Sequence, residues 1–246
     1  MEFTVASFKK LLSPVFILAT IPIWAQQLTA TELLEKSIAY HDPQGQWGRL
    51  RADFEILAER PGGSDRLSTI HMDQAASLFR IRVEQEGVTK TYQVHGGHCR
   101  LWYQGEAGFP EETAASENLT CERASLLRDY YSYLYGLPMK LRDPGTVMEP
   151  EVTRADFHGK EYLVIEVRYE PGTGSDTWRF YFDPETSALG AYQFFHDVAA
   201  NDGEYILLEG EAAIGTMRVP ELRKWYRNDT GEYLGSDRLR PAGSRE

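Results

Sequence analysis

His95 and His98 flank Gly96-Gly97, so a two-residue hairpin would set both imidazoles side by side, close enough to share a metal ion. Two ligands fall short of an ordinary zinc site, and the pair reads equally as a surface hairpin, so no metal is assigned. His196-Asp197 has the residue types of an acid–base pair, but no nucleophile motif accompanies it and a solvent-facing strand end explains it as well. Glu209 and Glu211 share a strand face, either as a glycosidase-like carboxylate pair or as a charged solvent face. His41 falls at a predicted helix end, where its charge would meet the negative pole of the dipole. His71 and His158 have no partners in sequence. Arg223-Lys224-Trp225-Tyr226-Arg227 could stack on an anionic or aromatic ligand, although an edge strand guarded by cations is the plainer reading. G-x-S-x-G, phosphate-loop and H-E-x-x-H motifs are missing from the sequence. No catalytic residues and no cofactor are assigned.

The cysteines belong to a different argument, which begins at the N-terminus. Lys9 and Lys10 precede a largely apolar run, Leu11 to Trp24, broken by Pro14 and Pro22 and followed by the small Ala25. That run is shorter than the roughly 20 residues a membrane-spanning helix needs. A basic start, a short apolar middle and a small residue describe a signal peptide over residues 1–25, cleaved near Ala25. The expected mature protein, residues 26–246, is periplasmic or secreted, forms one β-rich domain and makes no stable membrane insertion. Its leader is net positive, so the −11 charge of the full chain becomes still more acidic after cleavage. Nucleic acid and anionic membrane surfaces, which need a cationic footprint, are thereby excluded as partners. In an exported protein the two cysteines, Cys99 and Cys121, predict a disulfide.

Elements follow from periodicity. Thr29-Ala30-Thr31-Glu32 reads as a capping box for a short helix that Asp42-Pro43 stops. Period-two alternation then runs to Arg100, turned at Pro61-Gly62-Gly63 and at Gly96-Gly97. Residues Glu106 to Leu119 read as a polar loop. A second helix spans about Cys121 to Tyr135, capped by Thr120, with Gly136 expected in a left-handed conformation at its end. Short antiparallel strands complete the chain, the last at Arg223 to Tyr226, so the fold class is mainly β with two helices (α+β). Strands around Phe180, Tyr192 and Ile206 are apolar on both faces, whereas a sheet wet on one side alternates cleanly. Something must cover the second face: the helices, or a ligand cavity beneath them. The bulkier set, Trp178, Phe180 and Phe182 with Phe195 and Leu207, is the candidate ligand-binding face.

Tyr40-His41-Asp42-Pro43 with Trp47, Tyr135-Gly136-Leu137-Pro138-Met139-Lys140-Leu141, Asp143-Pro144-Gly145, Asp202-Gly203-Glu204-Tyr205-Ile206 and Lys224-Trp225-Tyr226 resemble an uncharacterised family of exported Gram-negative proteins. That family carries a domain-of-unknown-function label and implies no reaction. At the level of fold the chain is similar to outer-membrane lipoprotein carriers of the LolA/LolB type, which implies a curved antiparallel sheet or half-barrel wrapped around helices. The resulting expectation is a non-enzymatic binding or carrier protein for an apolar or lipid-like ligand, such as an acyl chain. The alternatives are a hydrolase using His and carboxylate residues assembled by the fold, and a purely structural or interaction domain. Ligand identity, protein partners and oligomeric state are not encoded in any motif.

Overall fold

The computed structural model of the chain describes residue 1 and residues 28–241, so the apolar run of the expected signal peptide and its expected cleavage point lie outside the described residues. Helix α1 (Ala30–His41) opens on the expected capping box: Thr29 Oγ1 accepts from the Glu32 amide, and a Glu32 carboxylate oxygen accepts from the Thr29 amide. Both Asp42 carboxylate oxygens then accept backbone amides, from Gln46 and Trp47 at 2.8 Å each, which turns the chain toward the sheet.

Strands β1 (Arg51–Glu59), β2 (Arg66–Asp73), β3 (Leu78–Gln85), β4 (Val88–His95) and β5 (His98–Tyr103) form an antiparallel meander. Gly96 and Gly97, at φ +54° and +81°, make the β4–β5 turn, a left-handed pair that costs glycine nothing sterically. In the segment expected as a loop there is a short helix, α2 (Glu111–Ser116). It starts after Pro110 with two glutamates in its first turn, where the dipole favours acid, and buries no side chain, so it has no apolar period to betray it.

Helix α3 (Cys121–Gly136) leads to β6 (Thr146–Met148), β7 (Thr153–Phe157), β8 (Lys160–Tyr169), β9 (Thr177–Phe182), β10 (Leu189–Phe195) and β11 (Glu204–Glu209). A separate hairpin, β12 (Ala212–Ile214) and β13 (Met217–Val219), packs on α1 before β14 (Leu222–Arg227) and β15 (Tyr233–Pro241). The main sheet is open and antiparallel, with 13 strands in the order β5-β4-β3-β2-β1-β15-β14-β11-β10-β9-β8-β6 and β7 also paired to β8. One apolar cluster runs through the inner faces of strands from both halves and through α1 and α3, so the sheet curves around the helices. The mainly β, two-helix expectation holds for the long elements, with α2 added.

The expectation of an edge strand at Arg223 to Arg227 is corrected: β14 lies inside the sheet between β11 and β15. Arg223 points inward and is only 1% exposed. The second apolar face also has its own explanation. Tyr162, Val164, Tyr181 and Ala191 form an outer cluster, with Phe157 of β7 stacked on Tyr181 at 4.2 Å. Aromatic neighbours on the sheet cover that face, not the helices.

Cys99 and Cys121 are bridged across a Cα separation of 5.7 Å, which ties edge strand β5 to the first residue of α3. Gly136 is not left-handed, contrary to expectation, but ends α3 with the Trp47 indole against its α-carbon. A Cβ placed there would lie 2.7 Å from Trp47 Cη2, a distance real contacts do not reach. Gly136→Val is therefore expected to cost about 1–3 kcal/mol through overpacking, and Trp47→Ala in the same chain should recover part of it. An unchanged denaturation midpoint for the single variant would refute this steric account.

Candidate functional site

Helix α3 presents two faces. Ala124, Leu127, Tyr131, Leu134 and Tyr135 recur at helical spacing and bury against the sheet. Leu126, Tyr130 and Tyr133 flank that stripe and stand over β9, β10 and β14 without filling the gap. The result is an open cleft of about 970 Å³ between helix and sheet. Its apolar walls are Leu126, Tyr130, Tyr133, Trp178, Phe194 and Trp225. Leu126 is 61% exposed and Tyr130 41% exposed at its mouth, an unusual position for large apolar side chains.

The walls are organised by aromatic contacts. Tyr133 meets Trp178 edge-on at 5.7 Å, Trp178 leans on Phe194 at 5.0 Å, and Tyr130 stacks toward Trp225 at 6.5 Å. The Tyr133 and Tyr169 hydroxyls share a hydrogen bond of 2.5 Å at one end, and burial holds Tyr133 well above the usual phenol range. Polar groups ring the opening. Lys140 is ion-paired with Asp143. Arg60 donates to the Glu59 and Ser236 carbonyls and reaches buried Asp237 at 3.2 Å. Gly235 makes that reach possible, since a Cβ there would sit 2.6 Å from Arg60 Cδ.

Under the cleft Arg223 does the work of a helix cap. The last turn of α3 has no basic residue, and Arg223 Nη2 donates from β14 to the Leu134 carbonyl at 3.1 Å. Its guanidinium lies 4.1 Å from the Tyr135 ring centre, with Asp237 as its cross-strand neighbour. Burial next to this cluster pushes the Tyr192 hydroxyl up to about 12.

Of the residues proposed from sequence, Trp178 lines the cleft, while Phe180 and Phe182 are fully buried core beneath it. Phe195 and Leu207 are corrected to the other face. Pairing sets Trp178 opposite Phe194, Phe180 opposite Tyr192 and Ala191 opposite Leu207, so the inner row continues through Phe194 and Tyr192. Phe195 instead lies under the Arg179 guanidinium at 5.1 Å, and Leu207 packs into the outer cluster. Sequence reasoning passed over Tyr130, Tyr133 and Tyr169; the first two were visible as large apolar side chains beside the core stripe of α3.

The histidine candidates disperse. His95 and His98 pair across the hairpin on an exposed turn, and no group of three metal-ligating side chains occurs among the described residues. His41 is buried rather than a surface cap: its Nδ1 bonds the Arg218 carbonyl at 2.7 Å and its Nε2 accepts the Leu189 amide at 2.9 Å. Those contacts fix one neutral tautomer, and burial holds its pKa below the usual value. His196 pairs with Asp176 at 2.8 Å, not with Asp197, and among the described residues no hydroxyl or thiol bonds to it. Glu209 is held by Lys224, and Glu211 by the Tyr40 hydroxyl. These carboxylates brace strands rather than face one another.

Fold and cleft together define an antiparallel sheet curved around two helices, with an aromatic cleft left open along one of them. The chain belongs to the family of unknown function DUF6503, whose model matches residues 11–240. No curated protein matches it. Among solved structures it is similar to a LolA superfamily protein from Nitrosomonas europaea, at 11% identity and TM-score 0.49, over 86% of this chain and 91% of that one. It is also similar to a DUF1329 family protein from Desulfovibrio piger, at 8% identity and TM-score 0.47, over 88% and 94% of the two chains. A third likeness is to a putative outer membrane lipoprotein-sorting protein domain from Vibrio parahaemolyticus, at 12% identity and TM-score 0.41, over 87% and 93%. At such values these likenesses carry no argument about function.

Proposed function

We propose that the protein is a single-domain exported binding or carrier protein, free of the membrane after cleavage of its leader, that shelters the apolar chain of a lipid-like ligand in the cleft along α3. The observation that carries this reading is the cleft itself. Its volume of about 970 Å³ and its predominantly aromatic walls suit a single acyl or alkyl chain. No helix among the described residues is long and apolar enough to cross a membrane, so Leu126 and Tyr130 are not part of a membrane span.

A chain in the cleft stabilises the native state by mass action, by about 2.7 kcal/mol at a hundredfold excess over its dissociation constant. Alkyl-chain amphiphiles below their micellar concentration should therefore raise the melting temperature and shift the emission of Trp178 and Trp225. Leu126→Asp is the informative variant, because the side chain is mostly exposed and its replacement leaves the core intact. It should melt at the wild-type temperature alone, and should lose most of the ligand-induced rise by placing a charge against the chain. An undiminished rise in Leu126→Asp would move the ligand elsewhere; no response to any amphiphile would end the reading.

A further inference from the structure

The cleft wall carries more acid than base, and the bases are already engaged. Asp129, Asp143, Asp176 and Glu204 line it, against Arg60 and Lys140. Lys140 is neutralised by Asp143, and Arg60 by Asp237, which is 2% exposed. Asp129 is paired outside the wall with Arg128 at 2.8 Å, and Asp176 with His196. Glu204 is different. It has no ion-pair partner within 4.0 Å among the described residues, because Arg227, its cross-strand neighbour, is drawn to Glu232 at 3.1 Å.

Register decides where this carboxylate points. Trp178 pairs with Phe194 and Phe194 with Glu204, so the three stand in one row on the inner face of β9, β10 and β11. Half-burial raises the Glu204 pKa, outweighing the opposite pull of its neighbours Arg227, Arg60 and His196. Ring faces attract cations and add to the carboxylate's pull at the same spot.

We propose that the cleft selects a cationic amphiphile, with an alkylammonium head at the Glu204 carboxylate beside the rings of Trp178 and Phe194, and its chain along the aromatic wall. This rests on the cleft being the ligand site. A fatty-acid head would meet the Glu204 carboxylate, whose neighbouring cations Arg227, Arg60 and His196 are each already paired with another acid, in a chain of net charge −11.

Dodecyltrimethylammonium, dodecanoate and the neutral octaethylene glycol dodecyl ether, each below its micellar concentration, separate the two claims by calorimetric titration of the purified protein. The ammonium chain should bind roughly tenfold or more tighter than dodecanoate, the scale of one half-desolvated charge pair. Glu204→Gln should bring that ratio toward one. Glu86→Gln, the same charge change at the distant β3–β4 turn, should leave it as in the wild type. Dodecanoate binding as tightly as the ammonium chain, or Glu204→Gln retaining the full ratio, would overturn the proposal. Comparable affinity for all three chains would overturn it while supporting the cleft, and binding of none would overturn both.

Discussion

Arg223→Ala is expected to destabilise the protein by about 3–5 kcal/mol, the combined scale of a lost buried hydrogen bond and the cavity left by a large side chain. Three losses coincide. The Leu134 carbonyl at the end of α3 loses its donor, Asp237 loses its cross-strand cation, and a cavity opens beside Tyr135 and Tyr192. Arg223→Met keeps most of the volume and should cost less, about 1–3 kcal/mol for the unsatisfied carbonyl. Against a typical total stability of about 5–15 kcal/mol the alanine variant is close to the limit of folding. Urea denaturation followed by far-ultraviolet circular dichroism measures both. Equal costs for the two variants would mean that charge and hydrogen bonding, not volume, hold this corner together; a negligible cost for methionine beside a full cost for alanine would assign it to volume, and a cost under about 1 kcal/mol for alanine would dismiss the cap.

That same corner shows where the sequence was opaque. Strand β15 escaped detection because its inward positions are Gly235, Asp237 and Leu239, a pattern no apolar alternation reveals. Gly235 is there to let Arg60 pass, and Asp237 to sit beside Arg223; both facts belong to the assembled sheet. Without β15 in view, β14 had only one neighbour and its cations passed for edge protection. The capping box of α1, the core stripe of α3 and the two glycine turns were legible because each is decided within a few residues.

For the cleft the limit was register. Alternation assigns Trp178, Phe180 and Phe182 to one face of their own strand, but relates that face to the next strand only through pairing. A one-residue difference in pairing puts Phe194 or Phe195 beside Trp178, and the structure has Phe194. The outer aromatic cluster hid the choice by making both faces greasy.

Removing the bridge should have the next largest effect. The Cys99–Cys121 cross-link closes a segment of 22 residues and should stabilise the fold by about 3 kcal/mol, mainly by restricting the unfolded chain. The Cys99→Ala, Cys121→Ala double variant should shift the urea midpoint accordingly, and reductant should shift the wild type to match it. Hydrogen exchange should quicken most in β5 and the first turn of α3, which the bridge joins directly. Identical midpoints for wild type and double variant would rule out a stabilising role.

Strand β15 lies between β1 and β14, so segments far apart along the chain are neighbours in the middle of the sheet. The β1–β5 meander is complete early in synthesis, and the strands from β8 to β14 pair among themselves afterwards. Each then presents a long open edge, β1 on one and β14 on the other, of the kind that recruits foreign strands. The nine residues of β15 close both edges in one event. During vectorial synthesis the seam of the sheet is thus the last of its strands to emerge, and its two halves depend on protection from one another's company until it arrives.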